Sequence, residues 1–198
     1  NLRNYPDIVS FAFWTRKNNL LKLKNDYLNF GSKPIGRGLV FHIVPSNVPT
    51  NFVYSMIFGL LSGNSNIIKL PEKNFVQIEI IINLIKRILK KKNYKNIENS
   101  LMFIKYDKSK KFITQKISQN SDARLVWGGD STVVSLKNVF TKKNSVDINF
   151  PDKYSFSVID TDILNINFLK LVEKFYNDTF LYDQNACSSP HLILWSGK

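Results

Sequence analysis

Apolar and polar positions along the chain switch repeatedly between a helical spacing and short β-rich runs. Residues 1–30 read as helical, with Phe11, Phe13, Trp14, Leu20, Leu21 and Leu23 among the apolar positions, and Gly31 and Pro34 break that pattern. Gly38 to Val44 (GLVFHIV) is a short apolar run suited to a buried parallel strand, ended by Pro45-Ser-Asn-Val-Pro49. Thr50 to Leu61 predicts a helix buried on most sides and closed by Ser62-Gly63-Asn64. Asn66 to Leu70 predicts a second strand stopped by Pro71, and Phe75 to Lys90 a strong amphipathic helix. Leu101 to Lys105 predicts a third strand, Ser109 to Ser118 a weaker helix, and Ala123 to Trp127 a fourth strand. Gly128-Gly129-Asp130 follows, with Asp130 placed to cap a helix that starts at Ser131.

This strand–helix alternation predicts an α/β fold, a Rossmann-like parallel sheet with helices on both faces. Ligands of such sheets sit at the carboxyl ends of the strands. Pro45 to Asn51, Lys69 to Glu72 and Gly128 to Ser131 therefore share one rim. After Lys143 the pattern changes: Tyr154 to Asp160 reads as a strand, Leu164 to Thr179 as a helix and His191 to Trp195 as another strand. We divide the chain into residues 1–149, a nucleotide-binding domain with a helical N-terminal segment, and 150–198, the start of a second α/β domain.

Composition narrows the classes. At 198 residues, 43% hydrophobic and 22% charged, the chain is ordinary for a globular protein. No apolar stretch is long enough to span a bilayer. The first residue is Asn1 rather than Met and no signal-peptide pattern follows, so a piece of a longer, cytoplasmic protein is expected. One cysteine cannot form an internal disulfide and suits a reducing compartment. The net charge of +13 fits an anionic partner, but it is mostly Lys in a chain also rich in Asn and Ile. Compositional drift and a solvated face outweigh a nucleic-acid site. No set of zinc ligands is visible.

Few residues carry candidate chemistry. Cys187 lies in Asp183-Gln-Asn-Ala-Cys-Ser-Ser-Pro190, between a helix and a strand. A lone cysteine is most often a small buried hydrophobe. Polar neighbours on both sides point instead to a reactive thiol, suited to attack on a thioester because the product is another thioester. Asn47 stands between two prolines, where its amide could donate to a developing oxyanion or simply cap the turn; unaided, the two readings weigh equally. Gly128-Gly129-Asp130-Ser131 joins a strand to a helix and could receive a phosphate, although it lacks the G-x-G-x-x-G spacing. His42 reads as a core histidine, and His191 as structural.

Longer blocks then identify a family. Gly36 to Phe52 (GRGLVFHIVPSNVPTNF), Phe58 to Asn66, Val126-Trp-Gly-Gly-Asp130, Phe175 to Thr179 and, most specifically, Asp183 to Pro190 resemble the acyl-CoA reductase family that includes the LuxC subunit of the luminous bacterial fatty acid reductase. That family is a branch of the aldehyde dehydrogenase superfamily. The resemblance implies NADPH-dependent reduction of a long-chain acyl-CoA to the aldehyde through an acyl thioester on Cys187. It implies that Asn47 and the backbone N–H of Cys187 form the oxyanion hole. It further implies that Pro45, Ser46, Lys69, Glu72, Gly128, Gly129 and Ser131 bind the cofactor, Lys69 at the adenosine ribose and Gly128-Gly129 near the pyrophosphate. Two positions depart from the pattern. Glu72 would repel a 2′-phosphate, so NADH stands beside NADPH. Asp147 is the nearest acidic residue to the water-activating glutamate of oxidative relatives. By resemblance, the donor is a fatty acyl-CoA or an acyl-enzyme such as an acyl-protein synthetase, and the full-length protein is a homo-oligomer. The alternatives are a CoA-acylating aldehyde dehydrogenase acting on shorter substrates and a non-catalytic basic binding module.

Overall fold

The computed structural model describes residues 4–29, 35–160, 162 and 164–197. The helix-breaking positions Gly31 and Pro34 lie outside the described residues. The chain forms two compact units, residues 1–151 and 152–198.

The first unit opens with helices α1 (Pro6–Trp14) and α2 (Lys17–Leu28). The alternation expected from the sequence follows: β1 (Leu39–Ile43), α3 (Asn51–Leu61), β2 (Ser65–Lys69), α4 (Val76–Leu89), a 3-10 turn (Lys92–Tyr94), α5 (Lys95–Asn99), β3 (Leu101–Ile104), α6 (Lys111–Asn120), β4 (Ala123–Trp127) and α7 (Asp130–Lys137). A further strand, β5 (Val146–Phe150), completes the sheet. The order is β3-β2-β1-β4-β5, and every described pairing is parallel.

The side-chain period of two sends alternate β1 residues to opposite faces. Val44, just past β1, joins Phe52, Val53 and Met56 of α3, Ile78 and Ile81 of α4, and Ile8 of α1. Phe41 and Ile43 join Val126 of β4 with Val133 and Leu136 of α7. The helices thus cover both faces, as the periodicity predicts.

Three local differences from the sequence reading have physical causes. Asp130 is not the cap: Gly129 occupies the N-cap without a side-chain bond, and Asp130 is the first helical residue. Its carboxylate still complements the positive end of α7. Val146-Asp-Ile-Asn-Phe150 has the period-two alternation of an edge strand, but its half-polar composition hid it. Between α4 and β3, where the sequence reading assigns no element, the lysine-rich stretch folds into the 3-10 turn and α5.

In the second unit β6 (Ser155–Asp160) pairs in parallel with β7 (Pro190–Ser196), and α8 (Leu164–Phe180) connects them. Among the described residues, no helix is long and apolar enough to cross a membrane.

Candidate active site

Strand ends converge to make the rim of the first unit. The N–H of Val44 bonds to Lys69 O at 3.4 Å, that of Leu70 to Ile104 O at 2.9 Å, and that of Gly128 to Phe150 O at 3.3 Å. The Pro45–Pro49 loop, the Lys69–Glu72 segment and the Gly128–Ser131 turn are therefore carried by neighbouring strands.

In the first of these, Pro45 is half-buried while Ser46 and Asn47 are exposed. Asn47 Oδ1 accepts the backbone N–H of Val48 at 3.0 Å. This contact turns the amide oxygen towards the Val48 N–H.

Lys69 lies with Nζ 4.9 Å from the centroid of the Tyr106 ring and 4.0 Å from Glu72 Oε1. Burial pushes its pKa below the usual lysine value, against the opposing pull of Glu72 and Asp107. Glu72 Oε1 also accepts the backbone N–H of Lys108 at 2.8 Å. The carboxylate expected to repel a 2′-phosphate is thus already engaged by a donor and flanked by a cation.

The Gly128 turn admits close approach. A Cβ on Gly128 would meet Thr132 Cγ2 at 3.2 Å. The first N–H groups of α7 lack intrahelical acceptors and form a natural anion seat beyond Gly129. Ser131 is exposed at the same end. Together with a parallel sheet whose carboxyl ends form the rim, these groups fit a nicotinamide dinucleotide.

Cys187 belongs to the second unit, on the loop between α8 and β7, and its thiol is exposed. That loop is braced. Asp183 and Gln184 adopt left-handed backbone with φ of 51° and 60°, an uncommon conformation for residues with side chains. Gln184 Nε2 donates to Pro190 O at 3.3 Å, and Ser155 Oγ donates to Cys187 O at 2.6 Å. Ser189 is buried directly after the exposed pair Cys187-Ser188. His191 stacks on Tyr154 with ring centroids 5.5 Å apart. The described structure places Asn47, Lys69, Glu72, Gly128, Gly129 and Ser131 on one rim of the first unit, and Cys187 in the second.

Asp147, the candidate nearest to a water-activating base, is committed elsewhere. It sits opposite Arg124 in the β4–β5 register. The pair is bidentate, with Nε–Oδ1 2.7 Å and Nη2–Oδ2 2.5 Å. Both of its oxygens serve a buried guanidinium.

Sequence reasoning also missed a polar network beneath the rim. His42 is fully buried, with Nδ1 2.7 Å from Ser55 Oγ and Nε2 2.9 Å from Asn66 Oδ1. Trp127 Nε1 donates to the same Ser55 Oγ at 3.2 Å. The available signal was three polar residues, His42, Ser55 and Asn66, at positions whose periodicity faces the core.

The family model for acyl-CoA reductase (LuxC) matches residues 21–198. No curated protein matches the chain. Among solved structures, PnpE in complex with nicotinamide adenine dinucleotide is similar at TM-score 0.65 and 18% identity, over 81% of this chain and 31% of that one. Betaine aldehyde dehydrogenase from Staphylococcus aureus, solved with NAD+, matches at TM-score 0.61 and 18% identity over 81% and 30%. An aldehyde dehydrogenase from Bartonella henselae matches at TM-score 0.59 and 16% identity over 85% and 34%. The chain spans about a third of the length of these structures, which share its fold. With its five-stranded parallel sheet of the aldehyde dehydrogenase type and a family match over most of its length, the chain belongs to the acyl-CoA reductase (LuxC) family.

Proposed function

We propose that the full-length protein reduces the acyl group of a long-chain fatty acyl-CoA to the aldehyde, with Cys187 carrying the acyl group and NADPH as reductant. The observation that carries this reading is the exposed Cys187 thiol on a loop held by Gln184 and Ser155. In the thiolate form Cys187 attacks the thioester carbonyl; a new C–S bond forms, the old one breaks, and CoA leaves as a thiolate that takes up a proton. Asn47 donates from its NH₂ to the carbonyl oxygen as charge develops there. A bound reduced nicotinamide nucleotide supplies the hydride that brings the acyl carbon to the aldehyde level. Cys187 is then expelled as thiolate from the thiohemiacetal, ready for another acyl group. Lys69 and the Gly128–Ser131 turn hold the nucleotide. NADPH is compatible with Glu72 because that carboxylate already receives the Lys108 N–H and lies beside Lys69. With Asp147 bound to Arg124, that carboxylate is not available to activate water against the acyl-enzyme, which favours reduction.

The test is the intact mass of the full-length protein after incubation with tetradecanoyl-CoA and no nucleotide, with the adduct mapped by digestion. A single acyl group on Cys187, discharged as aldehyde on adding NADPH, is the expected result. Cys187→Ser takes up no acyl group yet keeps its affinity for NADPH. Asn47→Ala acylates roughly 10²-fold more slowly, the usual loss for one oxyanion donor. No adduct from any acyl-CoA in the folded protein overturns the proposal. Acylation confined to short chains moves the activity to a CoA-acylating aldehyde dehydrogenase.

A further inference from the structure

With the His42 imidazole neutral, the hydrogen bonds of the buried polar network select one tautomer. Asn66 Nδ2 donates to Asn64 O at 2.8 Å, so Asn66 Oδ1 is the acceptor that faces His42 Nε2. His42 Nε2 therefore carries the hydrogen and Nδ1 is bare. Nδ1 accepts the Ser55 hydroxyl, and the Ser55 oxygen in turn accepts the Trp127 indole N–H. The result is a continuous chain from β4 through α3 and β1 to β2.

Each of those strands ends in a part of the rim. β1 runs into the Asn47 loop, β2 into Lys69, and β4 ends at Trp127, directly before Gly128. The Trp127 ring is held from two sides. Ser55 receives its N–H, and Phe150 stacks on it with centroids 3.9 Å apart and planes 10° from parallel. Phe150 also receives the N–H of Gly128 through its carbonyl. Phe150 is thus a shared anchor: its ring stacks on the indole and its carbonyl holds the glycine turn.

We propose that His42 is a positioning residue for nucleotide binding: by holding the Ser55 hydroxyl it fixes Trp127, and through Trp127 the Gly128–Ser131 turn. This inference rests on the reading of that turn as a nucleotide site. A buried network can also serve packing alone, so the two arms must be separated. His42→Asn places an amide oxygen near the position of Nδ1 and keeps an acceptor for Ser55. His42→Gln places an amide nitrogen near the position of Nε2, keeping the donor to Asn66 while Ser55 loses its acceptor. Both remove the imidazole ring, so a packing role affects them alike. Trp127→Phe removes the N–H together with part of the ring volume and keeps an aromatic ring to stack on Phe150.

The experiment measures the dissociation constants of NADPH and NADH by calorimetry on the full-length protein and on these three variants. The rate of Cys187 acylation without nucleotide is followed by intact mass alongside. Trp127→Phe and His42→Gln are expected to weaken nucleotide binding about five- to tenfold, the size of one lost neutral hydrogen bond. His42→Asn stays within about twofold of the parent on the same scale. All three acylate at the parental rate. Equal losses of binding in His42→Asn and His42→Gln overturn the proposal in favour of packing. Parental affinity in Trp127→Phe overturns it as well and leaves the nucleotide site standing. Failure of the parent to bind either nucleotide overturns the nucleotide reading, and this inference with it.

Discussion

Among the described strand residues, each face of the sheet fully buries one ionisable side chain, and the two are satisfied in opposite ways. His42, on the face covered by α3, and Arg124, on the face covered by α6 and α7, are exposed by 0% and 1%. Histidine can discharge, and His42 does so. It is surrounded by the neutral Ser55 and Asn66, and burial pushes its pKa down to about 4 against the opposing effect of the Asn66 hydrogen bond. Arginine cannot discharge at any relevant pH. Its face instead supplies a carboxylate, Asp147, from the neighbouring strand, and adds Ser118 Oγ at 3.3 Å from Nη1. The difference shows that the polarity of a buried partner follows from whether the central group can lose its charge. It also accounts for both oxygens of Asp147, which bond the guanidinium.

The strongest test of this contrast breaks the ion pair from each side in turn. Asp147→Ala leaves a guanidinium buried without its counter-charge, and a loss of about 3–5 kcal/mol in unfolding free energy is expected. Arg124→Met costs less, because the Asp147 side chain keeps 26% of its exposure and can turn towards water. Urea denaturation of the two variants gives the comparison. Equal losses would mean that Asp147 is not what holds Arg124 in place.

The neutral face is sharpened by pH. His42 has an ordinary pKa near 6.5 when unfolded and about 4 when folded. Between those values the unfolded chain binds the extra proton, so stability rises with pH across this window and is lost as the pH falls through it. The full difference is about 3 kcal/mol, taken from the shift at 1.36 kcal/mol per unit. His42→Phe should flatten that part of the curve of stability against pH. The informative quantity is the difference between parent and variant. Asp7, whose pKa burial raises, contributes a slope of the opposite sign that cancels in the subtraction. An identical slope in both proteins would mean that His42 is already charged in the fold.

Much of the first unit was legible because its strands are short apolar runs separated by helices with clear periodicity. β1 to β4 fell where the pattern put them, and their parallel pairing follows from the helical crossovers. β5 was hidden for the reason that gives it a job: its alternate positions are polar, and one of them answers Arg124. The His42 network was illegible because a buried histidine announces only that it needs partners. Ser55 and Asn66 are distant in sequence and meet it through helix–sheet packing. Cys187 stands out as a candidate by its local polar sequence and its family motif, and the periodicity of the chain says nothing of it. The bracing of its loop by Ser155, on the far side of α8, could be seen only in three dimensions.

A smaller effect separates the faces again, through the spacing of helix and sheet. Gly59 is in the last turn of α3, and a Cβ there would stand 1.9 Å from Asn66 Oδ1 and 3.1 Å from His42 Nε2. Alanine in a helix interior normally gains about 1 kcal/mol over glycine. Here it would strike an amide held by hydrogen bonds on both sides, and a residue so fixed cannot swing away. Gly59→Ala should therefore lose about 1–3 kcal/mol, the range typical of overpacking. Pairing it with Asn66→Ala, which removes the struck oxygen, should recover part of the glycine-to-alanine penalty relative to Asn66→Ala alone. A thermodynamic cycle on the four proteins, followed by urea unfolding, reads the coupling directly. Additivity within experimental error would show that α3 shifts to accommodate the methyl group. In that case the close approach at Gly59 does not depend on keeping Asn66 aimed at His42.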